Sequence, residues 1–204
     1  MKKTLLLLVV LLTSFLSFSQ KAKKTTFEFG PRFGLIVSEL NGADQLKSVR
    51  ASFSAGIMGE IEIKDSFSLY SEVNYSRQGA TNRGNDDGSP FDNPLNLDYF
   101  NFPILIKYYV KNGFALEAGP QLGFLLNAKN RSKQVESPGV MDMTNDFKQL
   151  DFSFVLGLSY KTEWGFIVGG RYNFGLVDIN DGSVLESGSL RNSVFQLHFG
   201  YLFK

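Results

Sequence analysis

The chain has 204 residues, enough for one domain, and its composition excludes several classes of protein. It contains no cysteine, which excludes a disulfide-stapled scaffold, a cysteine-ligated metal and a lipid-anchored lipoprotein. Its 21 basic and 20 acidic residues nearly cancel, so the charge gives no reason to expect nucleic acid as a partner.

The N-terminus has the three parts of an export signal. Lys2 and Lys3 form a short basic region, residues 5–12 are apolar, and Ser17-Phe18-Ser19 offers a small-residue cleavage site. The apolar run is too short for a membrane-spanning helix. We therefore predict a cleaved signal peptide at residues 1–19 and a single domain at residues 20–204.

The rest of the chain alternates apolar and polar residues with a period of two, which is typical of β-strands. The predicted strands are 27–37, 51–63, 67–78, 97–110, 114–126, 149–161, 165–176 and 193–203. Short connections (64–66, 111–113 and 162–164) alternate with long ones (38–50, 79–96, 128–148 and 177–192). This rhythm predicts an all-β fold, an eight-stranded antiparallel up-and-down transmembrane β-barrel. Loop 79–96, which is rich in glycine and proline, is not expected to form regular structure, and both termini are expected at the short-turn, periplasmic rim.

Alternation alone does not decide which face points outward, because a secreted soluble barrel of the lipocalin type would bury its apolar face around an apolar ligand. The polar face here is rich in Gly, Ser and Asn, which suits a crowded interior, and the apolar face is nearly free of charge. Aromatic residues also concentrate near both strand ends, for example Tyr108, Trp164 and Phe203 at one end and Phe100 and Phe124 at the other. These features favour a membrane barrel with two interfacial girdles.

Eight strands leave a lumen just wide enough for side chains, so charges placed there must be paired. We predict a structural ionic network in the lumen, in which Arg32, Lys107 and Arg171 bridge carboxylates such as Glu72 and Glu117. The predicted members are Glu28, Arg32, Glu60, Glu72, Lys107, Glu117, Asp151 and Arg171. The same face also carries Glu62 and Lys161. A gated conduction path is the alternative interpretation of these charges.

No catalytic, cofactor or metal site is predicted. The single histidine, His198, is followed two positions later by Gly200 rather than by the serine that a hydrolase triad on this face would need. Asp86 with Asp87, and Asp142 with Asp146, match no defined calcium loop. Loops 79–96 and 128–148 are the expected surface for a protein partner, because a rigid barrel displays its loops.

Four segments together resemble the PorT-like outer-membrane β-barrel family, the short "porin family" proteins of Bacteroidetes-type Gram-negative bacteria. They are residues 72–79 (EVNYSRQG), 101–126 (NFPILIKYYVKNGFALEAGPQLGFLL), 171–179 (RYNFGLVDI) and 195–203 (FQLHFGYLF). The resemblance implies an outer-membrane barrel that contacts outer-membrane lipid and, during insertion, the barrel-assembly machinery. Most members have no assigned activity, and a few are linked to protein secretion.

We therefore expect a non-enzymatic barrel that serves as a membrane scaffold or as a surface-loop interaction protein. A narrow passive pore and, less favoured, a secreted soluble barrel remain the alternatives.

Overall fold

The computed structural model describes residues 26–42, 48–86, 89–132, 139–182 and 189–204, so the predicted signal peptide lies outside the described residues. Eight long strands form the body of this part of the chain. They are β1 (Phe27–Asn41), β2 (Arg50–Lys64), β3 (Phe67–Asp86), β4 (Ser89–Lys111), β5 (Phe114–Ser132), β7 (Leu150–Lys161), β8 (Phe166–Gly175) and β9 (Arg191–Tyr201). A short strand, β6 (Gly139–Asp142), and a 3₁₀ turn at Thr144–Asp146 precede β7.

The long strands close into a barrel. Each pairs antiparallel with its neighbour in the chain, β5 pairs with β7, and β1 pairs with β9 through contacts such as Leu35 with Leu197. The predicted eight-stranded antiparallel barrel is therefore confirmed. Closure leaves no unpaired edge around the barrel wall.

Side chains alternate strictly between the two faces of the wall. Along β5 the even-numbered positions from Phe114 to Leu126 face outward, and the odd-numbered positions, such as Glu117 and Gln121, are buried inside. The outward face carries large exposed apolar side chains on every long strand, among them Phe29, Ile57 and Leu158. The apolar face is thus on the outside of the barrel, as a surface in contact with lipid requires.

The short turn between β4 and β5 shows why this rim is compact. Asn112 and Gly113 both have positive φ, 46° and 85°. Asn and Gly tolerate this conformation, and a two-residue turn of this kind matches the twist of the strands it joins. The turn at residues 162–165 is closed by Thr162, whose hydroxyl oxygen accepts a hydrogen bond from the Phe166 amide.

Two long loops differ from their prediction. Residues 79–86 and 89–96 are not irregular but extend β3 and β4 as a paired hairpin that runs to Asp86 opposite Ser89. In the region 128–148, β5 continues to Ser132 and β6 pairs with its end, from Lys129 opposite Asp142 to Ser132 opposite Gly139. Backbone hydrogen bonds make these pairs, so the pairing does not require an alternation of apolar and polar side chains.

Candidate functional site

The side chains predicted for the lumen network lie inside the barrel. All eight are buried, and none is more than 7% exposed. Glu62, which shares their face in the sequence, lies instead at the short-turn rim and is exposed. The alternation places Glu62 on the lumen-facing side of β2, but it does not show that this end of β2 extends past the lumen.

Seven of these residues, joined by Lys161, form a continuous series of alternating charges. Arg32 Nε lies 3.0 Å from Glu72 Oε1, and Arg171 Nη1 lies 2.5 Å from the same oxygen. Arg171 Nε then reaches Glu117 Oε2 at 2.5 Å. Lys107 Nζ connects Glu117, at 3.2 Å, to Glu60, at 3.3 Å. We call this series the ionic ladder; it ends where Lys161 lies 3.7 Å from Glu60 and pairs with Glu28.

The ladder crosses the lumen rather than following its wall. Arg171 belongs to β8 and Glu72 to β3, and these strands are opposite each other in the eight-stranded closure. The ladder contains four acidic and four basic groups, so its charges balance. Asp151 is not part of it: its Oδ2 accepts a hydrogen bond from Asn192 Nδ2 at 3.2 Å.

Two tyrosines support the ladder, and the sequence pattern did not single them out. Tyr70 is fully buried, and its hydroxyl donates a hydrogen bond to Glu72 Oε1 at 2.6 Å. Lys107 Nζ lies 4.0 Å from the centroid of the Tyr70 ring, and the Arg171 guanidinium carbon lies 4.9 Å from it. The Tyr109 hydroxyl donates to Glu60 Oε1 at 2.5 Å. The face of an aromatic ring attracts cations, so Tyr70 compensates for the water that both cations have lost.

His198 lies between glycines on both neighbouring strands, and one of them, Gly169, makes room for its ring. It pairs with Gly34 on β1 and with Gly169 on β8, and a Cβ at Gly169 would lie 2.4 Å from the His198 Cε1 atom. Neither ring nitrogen has a hydrogen-bond partner among the described residues. A histidine that acts as general base in a triad is held by bonds at both nitrogens, so this geometry does not suit one.

An apolar cluster closes the lumen at the long-loop end. We call it the apolar cap; its buried members are Leu40, Ala80, Leu95, Leu97, Tyr99, Leu125, Ala128, Phe147, Ile179 and Leu190. Phe147, Ile179 and Leu190 come from connections, and backbone bonds hold them there: the Lys148 amide donates to Ile179 O and the Ile179 amide to Leu190 O, both at 2.8 Å. Single apolar residues in loops carry no periodic signal, so the sequence did not predict this cap.

The loop carboxylates order the backbone around the cap. Asp178 Oδ1 accepts hydrogen bonds from the amides of Leu190, at 2.8 Å, and Asn180, at 3.0 Å. These donors stabilise the charged form, and so the Leu190 amide above all lowers the pKa of Asp178. Asp142 accepts hydrogen bonds from the hydroxyl of Thr144 and from its amide, and the hydroxyl above all lowers the pKa of Asp142. Among the described residues, no group of three or more His, Asp or Glu side chains is placed to hold a metal ion.

At the short-turn end, the described residues enclose a cavity of about 730 Å³ between the ladder and the rim, which we call the vestibule. Its charged lining residues are Glu28, Glu60, Glu62, Lys64, Asp65, Lys161, Glu163 and Lys204. The lumen therefore has an apolar cap, a charged middle and a wide cavity at the short-turn end.

A closed antiparallel barrel with an apolar exterior and a charged interior defines a barrel of the outer-membrane type. In agreement, the profile of the family described as "outer membrane protein beta-barrel domain" matches residues 18–181. The chain belongs to this family, and its location is the outer membrane. None of the described residues belongs to a helix of the length and hydropathy that a membrane span requires.

Solved structures share the fold at low sequence identity. Ail, the attachment invasion locus protein of Yersinia pestis, in complex with the heparin analogue sucrose octasulfate, is 11% identical with a TM-score of 0.51; the match covers 87% of this chain and 99% of that one. Ail alone gives 13% identity and a TM-score of 0.50, over 86% and 98% of the two chains. Neisserial surface protein A (NspA) is 14% identical with a TM-score of 0.49, and the match covers 89% of this chain and 100% of that one. A comparison with curated proteins finds no match.

Proposed function

We propose that this protein is a non-enzymatic outer-membrane anchor with a sealed lumen, and that it binds a protein partner through the surface at its long-loop end. The observation that carries this proposal is that the strands continue beyond the barrel at that end. Conduction is opposed at two successive levels, since the apolar cap and the cross-lumen pair Arg171–Glu72 both occupy the path.

The proposed binding surface starts from the β3–β4 hairpin. The last β2–β3 pair joins Ser54 to Ser76, yet β3 stays paired with β4 for ten further residues, to Asp86. Ala80 on this part of β3 still packs in the apolar cap, and Thr81 is bridged to Ser48, so the five residues after Thr81 extend beyond the wall. At about 3.3 Å per residue, they span about 17 Å. Apart from one bridge between Thr81 and Ser48, β4 is the only strand that pairs with this part of β3 among the described residues. A backbone that is already paired in this way loses little conformational entropy when it binds a partner.

β6 adds an open edge to this surface. Among the described residues it pairs with β5 alone, so its second edge is available for strand addition. Val140 and Met141 on β6 are 62% and 66% exposed. Val140 and Met141 point to opposite faces of β6, and an open strand edge with an exposed apolar side chain on each face suits an extended protein segment better than a small solute. The PorT-like resemblance makes a secretion component the first class of partner to test.

Ion current separates this proposal from the passive pore. The purified protein, reconstituted in planar bilayers, is expected to give no steady current above that of lipid alone. A steady, voltage-independent conductance would contradict the sealed lumen and favour the pore. The matched variant is Phe147→Ser with Ile179→Ser, which disrupts the apolar cap. We expect this variant also to give no steady current, because the ionic ladder still blocks the lumen.

The position of the surface can be tested in whole cells, since the chain has no cysteine of its own. Val140→Cys is expected to react with a membrane-impermeant maleimide on intact cells. Glu163→Cys, in the opposite short turn, is expected to react only after the outer membrane is permeabilised. The reverse pattern would place the hairpin in the periplasm and contradict the proposal.

A photo-crosslinking residue at position 140 then tests the partner. We expect one discrete adduct, which is lost with Met141→Asp and is absent when the probe stands at position 181. Absence of an adduct from position 140 in cells would contradict the binding role.

A further inference from the structure

Asp151 is a buried carboxylate that has no cation as a partner. It is 7% exposed, and its Oδ2 accepts a hydrogen bond from Asn192. Its second oxygen, Oδ1, is buried and has no hydrogen-bond partner among the described residues. No described residue forms an ion pair with Asp151, and the charges of the ionic ladder balance without it. Buried charges in proteins are paired or bound to a metal ion, so Asp151 brings one uncompensated negative charge into the lumen.

A glycine on the neighbouring strand leaves a space beside this carboxylate. Asn101 on β4, Gly123 on β5 and Asp151 on β7 form one row of paired residues on the inward face of the wall. A Cβ placed at Gly123 would lie 2.9 Å from Asn101 Oδ1 and 3.4 Å from Asp151 Cβ. It would also lie 3.3 Å from Cδ1 of Tyr99, which belongs to the apolar cap. The three side chains therefore border one small space next to the cap.

The atoms around Asp151 that lack a partner are oxygens. Asn192 Nδ2 donates to Asp151 at 3.2 Å and to Gln78 Oε1 at 2.5 Å, which fixes the orientation of the Asn192 amide. Its Oδ1 is then buried without a hydrogen-bond partner, and so is the Tyr99 hydroxyl. A proton on Asp151 would serve one such oxygen, whereas a bound cation is shared by several.

We propose that Asp151 binds one monovalent alkali-metal cation, Na⁺ or K⁺, with the side-chain oxygens of Asn101 and Asn192 as its neutral ligands. One carboxylate among neutral oxygens balances a single positive charge, whereas a divalent ion would leave an excess charge buried in the barrel. The site is separate from the ladder. On the neighbouring strand Arg171 pairs with Gly157, which is about 20 Å along β7 from Asp151.

The dependence of stability on the cation tests this proposal. Urea unfolding of the protein in vesicles of zwitterionic lipid is measured in sodium, potassium or choline chloride at one ionic strength. The pH is about 8, where an ordinary carboxyl group is ionised. A cation that binds only the folded state multiplies the folding equilibrium constant by a factor that grows with its concentration. Above the Kd, each tenfold increase in Na⁺ or K⁺ at the expense of choline is expected to raise that constant about tenfold.

The variant Asp151→Asn keeps the shape of the side chain and removes its charge. It is expected to abolish the difference between the alkali salts and choline. Glu28→Gln removes another inward carboxylate, at the far end of the ladder, and as the matched control is expected to keep the difference. Equal stability of the unsubstituted protein in all three salts, the result expected if a proton neutralises Asp151, would overturn the proposal. A difference that Asp151→Asn retains would also overturn it.

A second variant covers the case in which Asp151→Asn fails to fold. Gly123→Ala keeps every charge but fills the space beside Asp151, so it is expected to remove the difference between the salts. Gly139→Ala, whose Cβ meets nothing within 4 Å, is expected to keep it. If Gly123→Ala keeps the full difference, the cation is bound elsewhere and the proposal is wrong.

Discussion

Replacing Arg171 with methionine tests the ionic ladder at its centre. The Arg171 guanidinium is 2% exposed and lies 2.5 Å from both Glu72 and Glu117. Methionine keeps much of the volume but leaves the two buried carboxylates with one cation fewer between them. Removing one partner of a buried ion pair costs about 3–5 kcal/mol, so we expect the free energy of unfolding to fall by about that amount.

The double variant Arg171→Met with Glu117→Gln separates charge imbalance from lost packing. Glu72 then keeps Arg32, and Lys107 keeps Glu60, so the remaining ladder is again balanced. We expect the double variant to recover about 1–3 kcal/mol relative to Arg171→Met alone. Lys148→Met is the exposed control: its pair with Asp178 has side chains 45% and 35% exposed and is worth about 0–1 kcal/mol.

Equilibrium urea unfolding in lipid vesicles measures these differences, with the single tryptophan, Trp164, as the fluorescent reporter. Trp164 stacks on Phe166 at the short-turn rim, away from every substitution, so its signal reports the unfolding of the whole barrel. Two results would refute the reasoning: a loss below about 1 kcal/mol for Arg171→Met, or a double variant no more stable than the single one.

Three further predictions concern the outer wall, the lumen and the loops. Leu122→Arg, on the lipid-facing side of β5, should cost about 2–4 kcal/mol and impede insertion, as measured by heat-modifiable migration. Gly169→Ala should lower the urea midpoint, because the added Cβ would lie 2.4 Å from His198, and His198→Ala should restore part of the loss. The pKa of Asp178 is lowered in the folded state, so its contribution is present above about pH 4 and is lost as the pH falls through its lower folded pKa. The protection factor of the Leu190 amide should therefore fall in acid, and Asp178→Ala should remove that dependence.

Each of these predictions has a matched control. Glu163→Arg places the same charge in a short turn and should not impede insertion. Gly139→Ala adds a Cβ that meets nothing within 4 Å and should leave the midpoint unchanged. Asp181→Ala should leave the pH dependence of the Leu190 protection factor intact. If a test substitution and its control behave alike, the corresponding assignment is wrong.

The barrel wall could be predicted because one physical rule acts on every residue of it. Along β5 each outward side chain meets lipid and each inward one meets the lumen, so the period of two from Phe114 to Leu126 is visible in the sequence. The same rule predicts charged residues on the inward face. It could not give their pairing, because the contact of Arg171 with Glu72 depends on which strands lie opposite each other.

The extensions beyond the wall were not predictable in this way. Residues 79–96 have no consistent apolar face, since the hairpin is not a wall with lipid on one side, and their glycines and prolines indicate a loop. The apolar cap combines residues such as Phe147, from the connection 128–148, with Ile179 and Leu190, from the connection 177–192. Their meeting depends on closure of the barrel, which brings these two connections together at one rim.

The central claim is that the apolar face of the wall meets lipid and the ionic face is sealed inside. A scan of β5 with single cysteines from position 114 to 126 tests this claim directly. Each cysteine carries an environment-sensitive fluorophore, and the bilayer contains a quencher on its lipid chains. Quenching should alternate with a period of two, strong at Leu116, Leu122 and Phe124 and weak at Gln121 and Gly123. Uniform quenching, or strong quenching at the odd positions, would contradict the account.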